Sequence, residues 1–269
     1  MQVVIQPTTE AAVELTARIM AAAIRETPRL VLGLATGGTM EAVYARLAAL
    51  HQIEGLDFSQ CRTFNLDEYA GLPAKHPSSY RYYMDHHLFS KVNLDPRNTH
   101  LPNGAAPDLD AECRKYEELI LRAGGIDLQL LGIGRTGHIG FNEPLSALNS
   151  RTHVEWLAPA TREQNAPYFS DPGQMPRRAI TMGVGTILDC RRCLLLATGA
   201  GKAGIINRAV EGPVTSLVTA SALQFHADCT VVVDAAAAAQ LQRKECYEDK
   251  FKNDPKWQRF STPAGPAGR

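Results

Sequence analysis

The sequence predicts an α/β fold: an open, doubly wound, mostly parallel sheet with helices on both faces. Two observations predict it. Short apolar runs alternate along the chain with segments whose apolar residues recur at helical spacing. Several of the short runs end in loops rich in glycine or carboxylates, at the strand ends where parallel sheets bind their ligands. A chain of 269 residues can bury a sizeable core, and 45% hydrophobic with 21% charged residues is an ordinary globular composition.

Residues 9–25 are Ala-rich at helical spacing, with Thr8 or Thr9 as the cap. Residues 30–34 (LVLGL) read as a buried strand, which runs through the loop ATGGT into a helix over about 40–50. A second strand, 61–66, ends in Asp67-Glu68-Tyr69, and helices are expected at 78–88 and 109–123. Residues 126–133 (IDLQLLGI) form the clearest strand and feed the loop GRTGHIGFNEP at 134–144. CLLLA at 193–197 is a further buried strand, followed by TGAGK and a helix over about 203–210. A last strand at 229–233 precedes an expected Ala-rich helix after Asp234. No internal repeat is present. Residues 152–176 hold Pro159, Pro167, Pro172 and Pro176 without a long period, and they predict an irregular, mobile lid reaching to about 180. The whole is Rossmann-like: one domain over 1–240, then a polar tail at 249–269, ending STPAGPAGR, that is expected to fray.

Lys plus Arg and Asp plus Glu are 28 each, so the basic footprint of a nucleic-acid binder is missing. No apolar run is long enough to span a bilayer, and the N-terminal MQVVIQPTTEAAVEL lacks the pattern of a signal peptide. Six scattered cysteines do not make a disulfide framework, so reduced thiols in a cytoplasm are expected.

Four strand-end loops carry the candidate chemistry. In Thr36-Gly37-Gly38-Thr39, paired glycines allow close backbone approach to an anion, and the following helix offers free N–H groups. A tight turn that needs glycine for its dihedrals explains the same residues. In TGAGK, Lys202 adds a point charge for phosphate, although a surface lysine opening a helix is the plainer reading. Of Asp67 and Glu68, alternation along a strand sends only one carboxylate into the crevice, where it could act as a base. His138 and Glu143 lie five residues apart among Gly134, Gly137 and Gly140, close enough for a carboxylate to fix the imidazole tautomer. Cys190-Arg191-Arg192-Cys193 leads into a strand and has no second ligand pair, so it reads as two incidental thiols. His86-His87 receives no ligand role.

LGLATGGT, FNLDEYAGL, HPSSY, LLGIGRTGHIGFNEP, SRTH and ITMGVGTIL, in this order, closely resemble the glucosamine-6-phosphate deaminase family. The likeness covers roughly residues 30–233. It implies an aldose–ketose isomerisation coupled to deamination of an amino-sugar phosphate, with no metal or redox cofactor. It implies Asp67 as the base that moves a proton between C2 and C1, His138 as the aid to ring opening and Glu143 as its partner. Thr36, Gly37, Gly38, Thr39 and Lys202 match phosphate-binding positions. The implied partner is a small amino-sugar phosphate, with neither nucleic acid nor membrane; a homo-oligomer stays open. Three other readings stand beside this one: a deaminase for galactosamine 6-phosphate, a 6-phosphogluconolactonase-like hydrolase, and a non-catalytic sugar-phosphate sensor.

Three residues depart from the resembled pattern. Thr136 stands where an Asp or Asn is usual, two residues before His138, and predicts a less strongly stabilised imidazolium. Pro167 replaces a phosphate-binding arginine, so Arg162, Arg177 or Arg178 from the same segment is expected to substitute. His153 and Glu155 replace basic residues that help hexameric members bind an N-acetylated sugar phosphate, so no activation by that effector is expected.

Overall fold

The computed structural model describes residues 1–169 and 171–261. The chain opens with a strand that the sequence reading did not expect, β1 (Gln2–Gln6). Helix α1 (Thr9–Glu26) follows, with the Thr8 hydroxyl accepting from Ala11 N–H as its cap. Next come β2 (Val31–Leu34), α2 (Gly38–Glu54) and β3 (Arg62–Asn65), then a short strand β4 (Asp67–Tyr69). Helix α3 (Tyr80–His87), strand β5 (Thr99–His100), helix α4 (Leu109–Arg122) and strand β6 (Leu128–Leu131) complete the first half.

In the second half, β7 (His153–Trp156), α5 (Pro159–Asn165) and β8 (Arg178–Thr181) precede α6 (Val184–Leu188) and β9 (Cys193–Ala197). The chain then forms α7 (Ala203–Val210), β10 (Cys229–Asp234), α8 (Lys244–Asn253) and α9 (Pro255–Ser261).

Seven strands form one sheet in the order β1-β10-β9-β6-β2-β3-β5, and each pairing is parallel. Every residue of β2, β6, β9 and β10 is buried, as a parallel sheet covered on both faces requires. The expected α/β class therefore holds.

A second, antiparallel sheet has the order β4-β8-β7. It corrects the expectation of an irregular lid. The segment contains β7, α5 and two short 3-10 turns, and a small apolar cluster lies beneath it, including Tyr69, Phe141, Leu157, Phe169 and Met175. Its four prolines hide the pattern, because Pro159 opens α5 rather than breaking it.

Two further expectations fail. The alanines after Asp234 form turns, not a helix. Asp234 accepts from Ala237 N–H and also holds Gly199 N–H and the Thr9 hydroxyl, which pins the chain where a helix would have to start. Ala237, Ala238 and Leu241 are buried there, so packing overrides alanine's helix propensity. The tail expected to fray from 249 is helical through 261; residues 262–269 lie outside the described residues. Trp257 is 2% exposed and packs with Phe251 and Phe260. Among the described residues no helix is long and apolar enough to cross a membrane.

Candidate active site

The loops after β2, β3, β6 and β9 converge on one cavity of about 160 Å³ at the carboxyl ends of the parallel strands. Thr36, Gly37, Gly38 and Thr39 line one side. Gly37 has φ of 111°, in the region that favours glycine, and turns the chain from β2 into α2. No side chain caps α2; the Met40 N–H is taken by the Gly37 carbonyl, which leaves those of Gly38 and Thr39 for an anion. The Tyr83 hydroxyl donates to the Gly37 carbonyl at 2.9 Å and holds the turn in place.

Lys202 lines the same cavity from the loop after β9. Its Nζ donates to the Ile133 carbonyl at 2.6 Å, which ties this loop to the one after β6. Burial, with a smaller push from the charge of Arg135, lowers its pKa below the ordinary lysine value.

Asp67 opens β4, one residue after β3 ends. The residue between them, Leu66, bonds both sheets: its N–H donates to Leu34 and its carbonyl accepts from Met182. The chain thus changes sheet at the catalytic candidate. Asp67 lines the cavity and is 6% exposed. Among the described residues, nothing donates a hydrogen bond to its carboxylate. Burial, then the neighbouring charge of Glu68, raises its pKa to about 8.

Glu68 turns the other way, as strand alternation predicts. Its carboxylate accepts from the N–H groups of Tyr69, Tyr80 and Arg81 at 2.8–2.9 Å and so satisfies the start of α3. Burial raises its pKa to about 6 even though those three bonds favour the charged form.

His138 lines the cavity beside Asp67. Its Nδ1 is 2.8 Å from the Thr136 hydroxyl and 3.4 Å from Glu143 Oε2. The Thr136 contact is the better hydrogen bond; the Glu143 contact is an ion pair when the ring is charged. Burial favours a neutral Glu143, but His138 and the Ala158 N–H at 3.0 Å outweigh it and hold the pKa below the ordinary value. Glu143 thus links the imidazole to the residue that precedes α5. Gly134 is required here, because a Cβ on it would lie 2.0 Å from His138 Nε2.

The structure therefore gathers Thr36, Gly37, Gly38, Thr39, Asp67, His138 and Lys202 around one cavity, with Thr136 and Glu143 behind the imidazole. Arg162 is not among them. It is half-buried and lines a separate groove with Pro159, Glu163, Met175 and Arg177. Arg178 stacks over Trp156 on the small sheet. The segment instead contributes Gln164 and Asn165 to the lining.

Tyr80 and Phe141 also line the cavity, and the sequence reading missed both. Tyr80 stacks on Phe141, and its hydroxyl reaches Tyr69, which in turn accepts from Asn165. HPSSY and FNEP contained them, but nothing in their spacing says that two rings would meet.

His153 and Glu155 pair with each other at 3.2 Å, and the Ser146 hydroxyl donates to the same carboxylate. The Cys190 and Cys193 thiols each face a backbone carbonyl at 3.6 Å.

A family model described as glucosamine-6-phosphate isomerases/6-phosphogluconolactonase matches residues 6–232. The chain is 50% identical to a glucosamine-6-phosphate deaminase of Shewanella loihica, over 92% of each chain. It is 49% identical to glucosamine-6-phosphate deaminase 1 of Bacillus subtilis, over 84% of this chain and 93% of the relative. Among solved structures it resembles a monomeric glucosamine-6-phosphate deaminase, with a TM-score of 0.87 and 48% identity over 89% of this chain and 100% of that one. A 6-phosphogluconolactonase from Thermotoga maritima shares the fold, with a TM-score of 0.67 at 20% identity over 87% of this chain and 99% of that one.

Proposed function

We infer that this chain, which belongs to the glucosamine-6-phosphate deaminase family, converts glucosamine 6-phosphate and water to fructose 6-phosphate and ammonia. One observation carries the reading: a carboxylate with a raised pKa and an imidazole share a cavity with a lysine and an uncapped helix start.

The phosphate lies against Thr36–Thr39 and Lys202, which fixes the sugar by its far end. His138 moves a proton between the ring oxygen and the C1 hydroxyl, opening the sugar to its aldehyde. The Asp67 carboxylate then takes the proton from C2 while the C1 oxygen is protonated, giving an enolamine. Return of the proton to C1 leaves an iminium at C2. Water adds to that carbon and the amine departs as ammonia. Burial alone would keep Asp67 protonated near neutrality, and the ammonium group of the bound substrate favours the charged form that the reaction needs.

Release of nitrogen as ammonia and of carbon as a ketose phosphate is catabolic chemistry. Five buried free thiols suit a reducing cytoplasm.

Ammonia release from glucosamine 6-phosphate, galactosamine 6-phosphate and the two unphosphorylated sugars tests the reading, with hydrolysis of 6-phosphogluconolactone measured alongside. Turnover confined to the phosphorylated glucosamine supports it. Turnover of the galacto epimer alone moves the substrate, and lactone hydrolysis without ammonia release overturns the reaction.

A further inference from the structure

Pro167 leaves the phosphate end of the cavity without the arginine found in the resembled pattern, and Arg162 lines a different groove. A dianionic phosphate held by one lysine and a helix start has room for a second cation. We propose that Arg135, in the loop after β6, is that cation and determines the affinity for the phosphate group. The proposal rests on the deaminase reading given above.

Three features of the site carry it. Strands β6 and β9 pair in parallel, Leu131 opposite Leu195, so the loops that follow them run side by side. Lys202 Nζ is bonded to the Ile133 carbonyl, two residues before Arg135 in the same loop, and Gly134 between them lines the cavity. Arg135 is exposed, and among the described residues neither it nor Lys202 has a carboxylate partner within ion-pair distance.

Two unpaired cations brought together disfavour each other, and an anion placed between them relieves the repulsion. The charge of Arg135 is felt at Lys202, whose pKa it helps to lower. A guanidinium also offers a fork of donors that matches phosphate oxygens, and here it hangs from a loop that His138 already anchors. Gly134 N–H donates to the His138 carbonyl at 2.9 Å, so the base of the Arg135 side chain is fixed although its tip is free. The residue that measures the phosphate thus shares a loop with the residue that opens the ring.

The test compares Arg135→Gln and Arg135→Lys with wild type in glucosamine 6-phosphate deamination. Loss of one charge-assisted phosphate contact should raise KM by about tenfold to a hundredfold for Arg135→Gln, with kcat within about twofold. Arg135→Lys should recover part of the loss, and KM of Arg135→Gln should respond less steeply to ionic strength. Unchanged KM in Arg135→Gln, or a loss confined to kcat, overturns the proposal. If wild type releases no ammonia, the deaminase reading fails by itself. Calorimetric titration of the same three proteins with inorganic phosphate then decides the Arg135 question: weaker binding to Arg135→Gln supports it and equal binding overturns it.

Discussion

The two sheets ask different things of the residues they carry into the cavity. The parallel sheet supplies the proposed phosphate anchors, the Thr36–Thr39 turn and Lys202, each set by a side-chain bond to a backbone carbonyl beyond the end of a buried strand. The small antiparallel sheet supplies the proposed base, since Asp67 is the first residue of β4 and pairs with Thr181 of β8. The two sheets meet at Leu66, and again where Phe141 N–H donates to the Thr181 hydroxyl. The proposed mechanism thus puts binding on the parallel sheet and chemistry at the seam. Variants in the loops after β2 and β9 should therefore move KM, and variants at the seam, which the loop after β6 reaches through Phe141, should move kcat.

The sharpest test of that division is Asp67→Asn. It should lower kcat by on the order of 10²–10⁴-fold while KM changes little. The same variant has a signature in stability. The unfolded chain ionises Asp67 near its ordinary value of 3.8, whereas the folded protein holds the proton up to about 8. Between those values the folded form binds a proton that the unfolded form has lost, so stability falls as pH rises through that window. Asparagine carries no such penalty. Thermal melts of Asp67→Asn should exceed wild type, by more at pH 8 than at pH 5. A gain that is flat with pH would contradict the raised pKa.

Gly134→Ala comes next. Its Cβ would displace the His138 ring, and kcat should fall by roughly a hundredfold with the fold retained. If only KM responds, the imidazole is a binding group and the division fails on that loop.

Glu68→Gln sharpens the comparison from behind the seam. Removing a charge that raises the Asp67 pKa should move the acid limb of kcat/KM to lower pH. Some stability should be lost with the weaker acceptor for three backbone N–H groups. A limb that stays in place would separate Glu68 from the base.

The smallest effect is expected for Pro167→Arg, a few-fold fall in KM from an added cation on the lid side. If Arg135 serves the phosphate as proposed, the gain stays small, and a fall as large as a hundredfold would count against that assignment.

What the sequence showed and hid follows from the same division. The parallel sheet was legible because each strand is a continuous apolar run and each ends in a loop of marked composition, as in LVLGL-ATGGT and CLLLA-TGAGK. That only one of Asp67 and Glu68 would enter the cavity was legible as alternation, and the resemblance pointed to Asp67. The small sheet was not, because β4 has three residues and its partners come from a proline-rich stretch more than eighty residues later. Strand β1 pairs with β10 from the far end of the chain, and no local signal announces such a pairing. The alanines after Asp234 have strong helix propensity, and a buried carboxylate bonded to another loop overrules it. The separation of Arg162 from Gln164 and Asn165 depends on which face of a seven-residue helix meets the cavity, and that is decided by packing.

Helices α8 and α9 lie against β1, where Gln2 is bonded to Asp254 and to Lys256, and Trp257 is sealed beneath. At the opposite edge, β5 has only two residues. Neither border therefore offers a long row of open backbone groups to another strand. The C-terminal helices, remote from the cavity, act as a stopper on sheet growth. Their removal would leave the cavity loops in place and open the five-residue border strand to pairing with a second copy of the chain.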